Sequence, residues 1–116
     1  MTAIACSCDA VARHAIRTLA EAGVEVPRDM SVTGFDDDPI AEWTSPPLTT
    51  IRQDFDEIGG RAFALLEKLL EGGAPDAAGE TVPVSFVARG SVGSPGPRPL
   101  ARTTRAGRAR SRRMAS

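Results

Sequence analysis

Ser31-Val32-Thr33-Gly34-Phe35 runs straight into Asp36-Asp37-Asp38-Pro39, an apolar extended segment abutting three carboxylates and a proline. That order constrains the fold more than any other feature of the chain. β-Branched and aromatic side chains favour a strand, while aspartates closed by proline favour a turn that ends it. The carboxylates are thereby placed at the strand's C-terminal end. Before it, Thr2 to Cys8 reads as another short apolar strand, and Asp9 stands where an N-cap belongs, its carboxylate suited to accept the free amides of a first helical turn. From Ala10 to Ala22 the apolar residues Ala12, Ile16, Leu19 and Ala20 recur at helical spacing, with Arg13, Arg17 and Glu21 off that stripe and Gly23 placed to end the helix. Strand, helix and strand in this order build a parallel sheet, and ligands of open α/β sheets bind beyond the C-terminal ends of the strands. The expected fold class is therefore α/β, with the acidic loop as its first candidate site.

Past that loop, Pro39 to Trp43 has room for one helical turn before Ser45-Pro46-Pro47 stops it, since proline disfavours helix at itself and at its predecessor. Leu48 to Arg52 predicts a third extended piece. Asp54 or Asp56 then caps a helix running to Glu71, with Phe55, Ile58, Ala62, Leu65, Leu66 and Leu69 along one face. Gly59-Gly60 inside it costs about 1 kcal/mol per glycine relative to alanine, which predicts close backbone packing or weak early turns there. Gly72-Gly73 ends the helix, and Val82 to Ala88 predicts a last strand near a sheet edge, because Pro83 cannot donate to a ladder.

The length suits one small domain, and its net charge of −1 hides a division. Residues 95–116 hold seven arginines and no acid, so the remainder carries seven bases against fifteen acids. An acidic body argues against nucleic-acid binding by the folded part, since phosphate contacts need clustered Lys and Arg. Beyond Gly93 the composition collapses to Gly, Pro, Ala, Ser, Thr and Arg with almost nothing apolar to bury. Residues 1–93 are therefore assigned to the domain and 94–116 to a disordered Arg-rich tail, read either as a phosphate-seeking run or as a solvated one without a partner. Cys6 and Cys8 share one face of an apparent strand with poor geometry for bridging each other, which implies reduced thiols and a cytoplasmic setting. No basic segment followed by an apolar one opens the chain, and no run is long enough to cross a bilayer, so neither export nor a membrane partner is expected.

The acidic segment, followed by Ser45-Pro46-Pro47-Leu48-Thr49-Thr50-Ile51-Arg52-Gln53-Asp54-Phe55, resembles the signature of the lactose-repressor (LacI/GalR) family of transcription regulators, in its effector-binding domain. The likeness runs from Thr2-Ala3-Ile4 to Val87-Ala88-Arg89-Gly90-Ser91 and corresponds to only the C-terminal part of a typical family member. It implies a partial periplasmic-binding-protein-like (type I) parallel sheet with flanking helices, one portion of an incomplete two-lobed sensor. In the family, the first aspartate after the Gly-aromatic pair, here Asp36, projects into the cleft and accepts hydrogen bonds from the effector, commonly a sugar hydroxyl or a purine edge. A carboxylate suits that task because it is acceptor-only and takes a pair of donors. Taken alone, Asp36 to Asp38 also reads as a solvated turn.

Cys8-Asp9 stands where the family has an Asn-Asp pair, so a thiol, weak as donor and acceptor, replaces an amide that contacts the effector. Asp9 keeps its place, as effector contact or as helix cap. By the same resemblance Gln53 and Phe55 line the cleft where the chain crosses between lobes, the amide bonding a polar ligand and the ring stacking under an apolar face. Their other readings are an exposed crossover residue and a core aromatic heading the last helix. Trp43, on its loop, and the helix carrying Ala12 and Ile16 correspond to the surfaces through which family members meet their symmetry mates in a homodimer; plain burial of Trp43 within one copy is the other reading.

No pattern calls for catalysis. His14 stands among Arg13, Ala15 and Arg17, the grouping Cys6, Cys8 and His14 lacks zinc spacing, and no nucleophile elbow, phosphate loop or dinucleotide fingerprint occurs. No enzyme activity, cofactor or metal is therefore expected. The expectation is a C-terminal portion of a LacI-type regulator that binds a small effector, a sugar or purine-like molecule, and forms a homodimer. It would reach DNA only through a helix-turn-helix outside this chain, because Ala10 to Phe35 runs helix into strand. A transporter's sugar-binding protein, which shares the fold, and a degenerate remnant without a ligand are the alternatives.

Overall fold

The computed structural model describes residues 1–74 and 79–95. Of the tail expected to be disordered, only Ser94 and Pro95 lie within the described residues. The chain opens with strand β1 (Ala3–Ala5), helix α1 (Asp9–Glu21) and strand β2 (Ser31–Thr33). β1 and β2 pair in parallel, with Ala3 opposite Ser31, Ile4 opposite Val32 and Ala5 opposite Thr33. Backbone bonds from Ser31 N to Thr2 O and from Cys6 N to Thr33 O, each 2.9 Å, extend the pairing at both ends. This is the strand, helix, strand unit that the apolar patterning predicts.

A single 3-10 turn (Pro39–Trp43) follows, started by Asp38, whose carboxylate accepts from Ile40 N, and by proline in its first turn. Beyond it come β3 (Thr50–Arg52), α2 (Phe55–Leu70) and β4 (Ser85–Val87). β3 and β4 form an antiparallel pair, so the described sheet is not parallel throughout. What joins the two pairs is a looser parallel seam: Gly34 N donates to Thr49 O at 3.0 Å and Asp36 N to Ile51 O at 2.8 Å, bridging Thr33 to Thr49 and Asp36 to Arg52. The three expected extended pieces thus lie side by side. The last strand is shorter than the 82–88 segment suggests, since pairing starts only at Ser85, beyond Pro83.

The core is small. Ala12 and Ile16 from α1, Val32 from β2, Ala41 from the 3-10 turn and Leu48 are buried together, flanked by Cys6, Leu19, Val26 and Met30. Each fully buried side chain of Leu or Val size contributes about 1.5–3 kcal/mol of apolar transfer free energy, so this cluster sets the lobe's stability. α2 stands apart from it. Asp54 caps the helix through a 2.9 Å bond from Glu57 N, and Gly72 takes the left-handed turn at its end with φ 86°. Yet no α2 residue is buried: Ile58 and Leu65 are half-covered, while Phe55, Phe63, Leu66 and Leu70 are exposed. The reading of Phe55 as a core aromatic is therefore corrected, because the described residues place no layer over that face of the helix. Close packing at Gly59 and Gly60 is likewise not seen, an added Cβ at either meeting nothing within 4 Å.

Candidate functional site

The C-terminal ends of β1 and β2 open side by side, and there the sequence-predicted residues separate into two groups. Asp36, directly after Phe35, holds its backbone against β3 and its carboxylate against Gln53, whose Nε2 donates to Asp36 Oδ1 at 2.7 Å. Both side chains are half-buried, so carboxylate and amide form a polar pair at the mouth rather than a solvated turn. Phe55 begins α2 two residues on and is 58% exposed. Cys8, half-buried, occupies the N-cap of α1 and makes no side-chain capping bond.

Asp9 behaves otherwise. Its carboxylate neither caps α1 nor faces the mouth; it is 1% exposed and turned inward. Oδ2 accepts from Asp38 N at 2.8 Å and Oδ1 accepts from the buried Thr50 hydroxyl. The physical reason is competition for partners: a carboxylate that gathers an amide from the acidic loop and a hydroxyl from β3 is better satisfied across the fold than by its own helix terminus. Both expected roles for Asp9, cap and effector contact, give way to that of a buried tie.

Asp37 and Arg89 are functional candidates that sequence reasoning missed. Arg52 Nε donates to Asp37 Oδ2 at 2.6 Å, and Arg89 Nη2 approaches Asp37 Oδ1 at 2.7 Å as an ion pair whose alignment falls outside that of a hydrogen bond. Burial alone would raise the Asp37 carboxyl, but the Arg89 and Arg52 guanidinium groups outweigh it and hold the carboxyl below its ordinary value. Arg89 in turn donates from its backbone to Thr49 Oγ1 and from Nη1 to Leu48 O, both at 2.9 Å, and its Nη2 reaches Glu42 at 3.3 Å. No local pattern announces these contacts, since Asp37 and Arg89 are far apart in the chain. The Cys6 thiol is pushed up by burial and then by neighbouring Cys8, so it stays protonated and unreactive near neutrality. Among the described residues no three His, Cys, Asp or Glu side chains are arranged to hold a metal ion.

Residues 1–92 match the family model described as a periplasmic binding protein-like domain. The chain belongs to that family, in the effector-binding form carried by LacI-type regulators. The HTH-type transcriptional regulator MalR of Streptomyces coelicolor is 44% identical over 100 residues, covering 84% of this chain and 28% of MalR. A dimeric Lac repressor with an 11-residue C-terminal deletion superposes with a TM-score of 0.74 at 37% identity, over 82% of this chain and 35% of the repressor. A LacI family transcriptional regulator from Lactobacillus casei, solved with bound sucrose, gives a TM-score of 0.65 at 33% identity, over 78% of this chain and 33% of its own. This LacI-type chain therefore spans about a third or less of the relatives it matches, part of one effector-binding domain. These relatives are transcription regulators, and no described helix is long and apolar enough to cross a membrane.

Proposed function

We propose that this LacI-type segment contributes one wall of an effector cleft, in which Asp36 and Gln53 grip a small polar molecule of the sugar or purine-like class. The supporting observation is the 2.7 Å pairing of the two side chains at the open end of the sheet. Gln53 occupies one Asp36 oxygen and so leaves the other to accept from a hydroxyl or ring N–H, while the Gln53 carbonyl offers a second acceptor beside it. Exposed Phe55 supplies an apolar face near this pair, and Cys8 replaces the family's amide with a soft, weakly bonding thiol, which favours an effector with less polar surface at that point. Sucrose bound to the L. casei relative fits a polyhydroxylated ligand. Control of operator DNA belongs to the complete regulator, through a helix-turn-helix outside this chain.

Calorimetry against a panel of mono- and disaccharides and purine bases tests the reading. At least one compound should bind the folded protein, and Asp36→Ala should weaken that binding about tenfold or more, the loss of a charge-assisted hydrogen bond being about 1.5–3 kcal/mol. Unchanged affinity in Asp36→Ala, or no binding across the panel by a well-folded sample, rejects it.

The proposal extends to a homodimer, as the dimeric Lac repressor supports. Ala12 and Ile16, expected at that contact, are spent in the lobe's own core, which leaves the exposed part of the surface to make it. Trp43 is 82% exposed and stands with Arg13, Arg17 and Ile40 around a shallow groove between α1 and the 3-10 turn. A large aromatic left in water beside a groove is the kind of side chain that anchors an interface. As Trp43 is the sole tryptophan, its emission should shift to the blue as protein concentration rises, and Trp43→Ser should shift sedimentation toward the monomer. A wavelength independent of concentration, with sedimentation unaltered by the substitution, removes Trp43 from the contact.

A further inference from the structure

Asp36 and Asp37 both lie in left-handed backbone, with φ of 109° and 59°. For residues carrying a Cβ such conformations are strained and persist only where the surroundings impose them. The backbone bond from Asp36 N to Ile51 O fixes one end of this strained pair. At the other, the Asp37 side chain, only 6% exposed, is gripped by two guanidinium groups from separate parts of the chain. Arg52 closes β3, and Arg89 follows β4 and is itself moored to Leu48 and Thr49. Asp37 cannot leave the left-handed region without pulling its carboxylate away from both cations. Because Asp36 precedes it directly, the direction in which the Asp36 side chain leaves the backbone is fixed by the same grip.

We propose that Arg52, Asp37 and Arg89 act as positioning residues, a clamp that holds the 36–37 dipeptide in its strained form and so aims the Asp36 carboxylate at Gln53 and the mouth of the sheet. The inference rests on the effector reading for its biological use, but the geometry it asserts exists without a ligand. In this arrangement the effector finds its acceptor already oriented, and less ordering cost is left for binding. The bond between Asp36 and Gln53 shares no atom with the clamp, so a clamp that merely stabilised the loop would leave that bond intact.

Nuclear magnetic resonance on the full chain separates the two. Three-bond couplings should report a single Asp36 χ1 in the wild type, and the Gln53 side-chain amide should resonate away from free glutamine. In Asp37→Asn and Arg89→Met the Asp36 couplings should average and the Gln53 amide should move toward the free position, while the Asp38 backbone amide, bonded to Asp9, stays protected from hydrogen exchange. Arg89→Lys, which keeps the charge, should recover a substantial part of the shift. Should Arg89→Met fail to fold, Arg52→Met, altering a half-exposed side chain, is read in its place. A fixed Asp36 rotamer and an unmoved Gln53 amide in folded Asp37→Asn, Arg89→Met or Arg52→Met overturn the clamp, as does loss of Asp38 protection in step with them. Failure of every effector in the panel with these signals behaving as expected rejects the effector reading and leaves the clamp standing.

Discussion

Gly34→Ala should cost about 3 kcal/mol of folding free energy, at the upper end of what overpacking a close-packed core costs. Gly34 is buried where α1 enters beneath the acidic loop. A Cβ built there would overlap Asp9 Oδ1 and lie 2.9 Å from Leu48 Cδ2 and 3.2 Å from Asp9 Cα. None of these neighbours can yield cheaply. Asp9 Oδ1 is tied to the Thr50 hydroxyl, Asp9 Cα belongs to the first turn of α1, and Leu48 is fully buried in the core. The position needs glycine for its lack of a side chain, not for backbone freedom. Gly59→Ala supplies the contrast, because a Cβ there meets nothing within 4 Å and the residue lies in α2, where alanine gains about 1 kcal/mol over glycine. Urea denaturation should therefore move the midpoint down in Gly34→Ala and up, or not at all, in Gly59→Ala. Equal, small effects at the two positions would mean that strand, helix and loop do not approach as closely at Gly34 as described.

Much of the lobe was legible because its signals are local. The apolar run from Thr2 to Cys8, the helical spacing of Ala12, Ile16 and Leu19, and the proline and glycine punctuation around Trp43 and at Gly23 and Gly72 each act within a few residues, where sequence patterns carry physical meaning. α2 was legible as a helix for the same reason, with its cap narrowed to Asp54 or Asp56 and the structure choosing Asp54. Where its apolar face points was not legible, since an amphipathic stripe states only that something should cover it. The resemblance brought Asp36 and Gln53 together as candidates, and the structure pairs them. Asp9 went astray because a local rule, that an aspartate before a helix caps it, competed with two partners supplied from Asp38 and Thr50. The Asp37 clamp lay beyond reach altogether: resemblance singled out Asp36 and a local contact makes Asp38 the cap of the 3-10 turn, but only tertiary contact with Arg52 and Arg89 makes Asp37 an ion-pair centre.

Asp9→Ala should destabilise the protein by about 3 kcal/mol, more than an ordinary surface change by a wide margin. The carboxylate is buried and is the acceptor for two donors, the Asp38 amide in the half-buried loop and the Thr50 hydroxyl on a residue 1% exposed. Hydrogen bonds to a charged acceptor contribute about 1.5–3 kcal/mol, and stranding their donors adds the unrecovered cost of desolvating them. Asp9→Asn isolates the charge, because its oxygen can still accept from the Asp38 amide while its NH2 donates to the Thr50 hydroxyl, which accepts as well as donates; it should cost clearly less than alanine, the loss of the charge-assisted part of the two bonds. Thr50→Val removes the hydroxyl donor with little change of shape, so the double variant Asp9→Ala with Thr50→Val should be less destabilised than the sum of the two single changes, by about 1 kcal/mol or more. Additive losses would show that the two side chains are not coupled. In that case the direct side-chain tie between α1 and β3 would be absent, and the two would be joined only by way of the acidic loop, from Asp9 Oδ2 to Asp38 N and from Arg52 to Asp37.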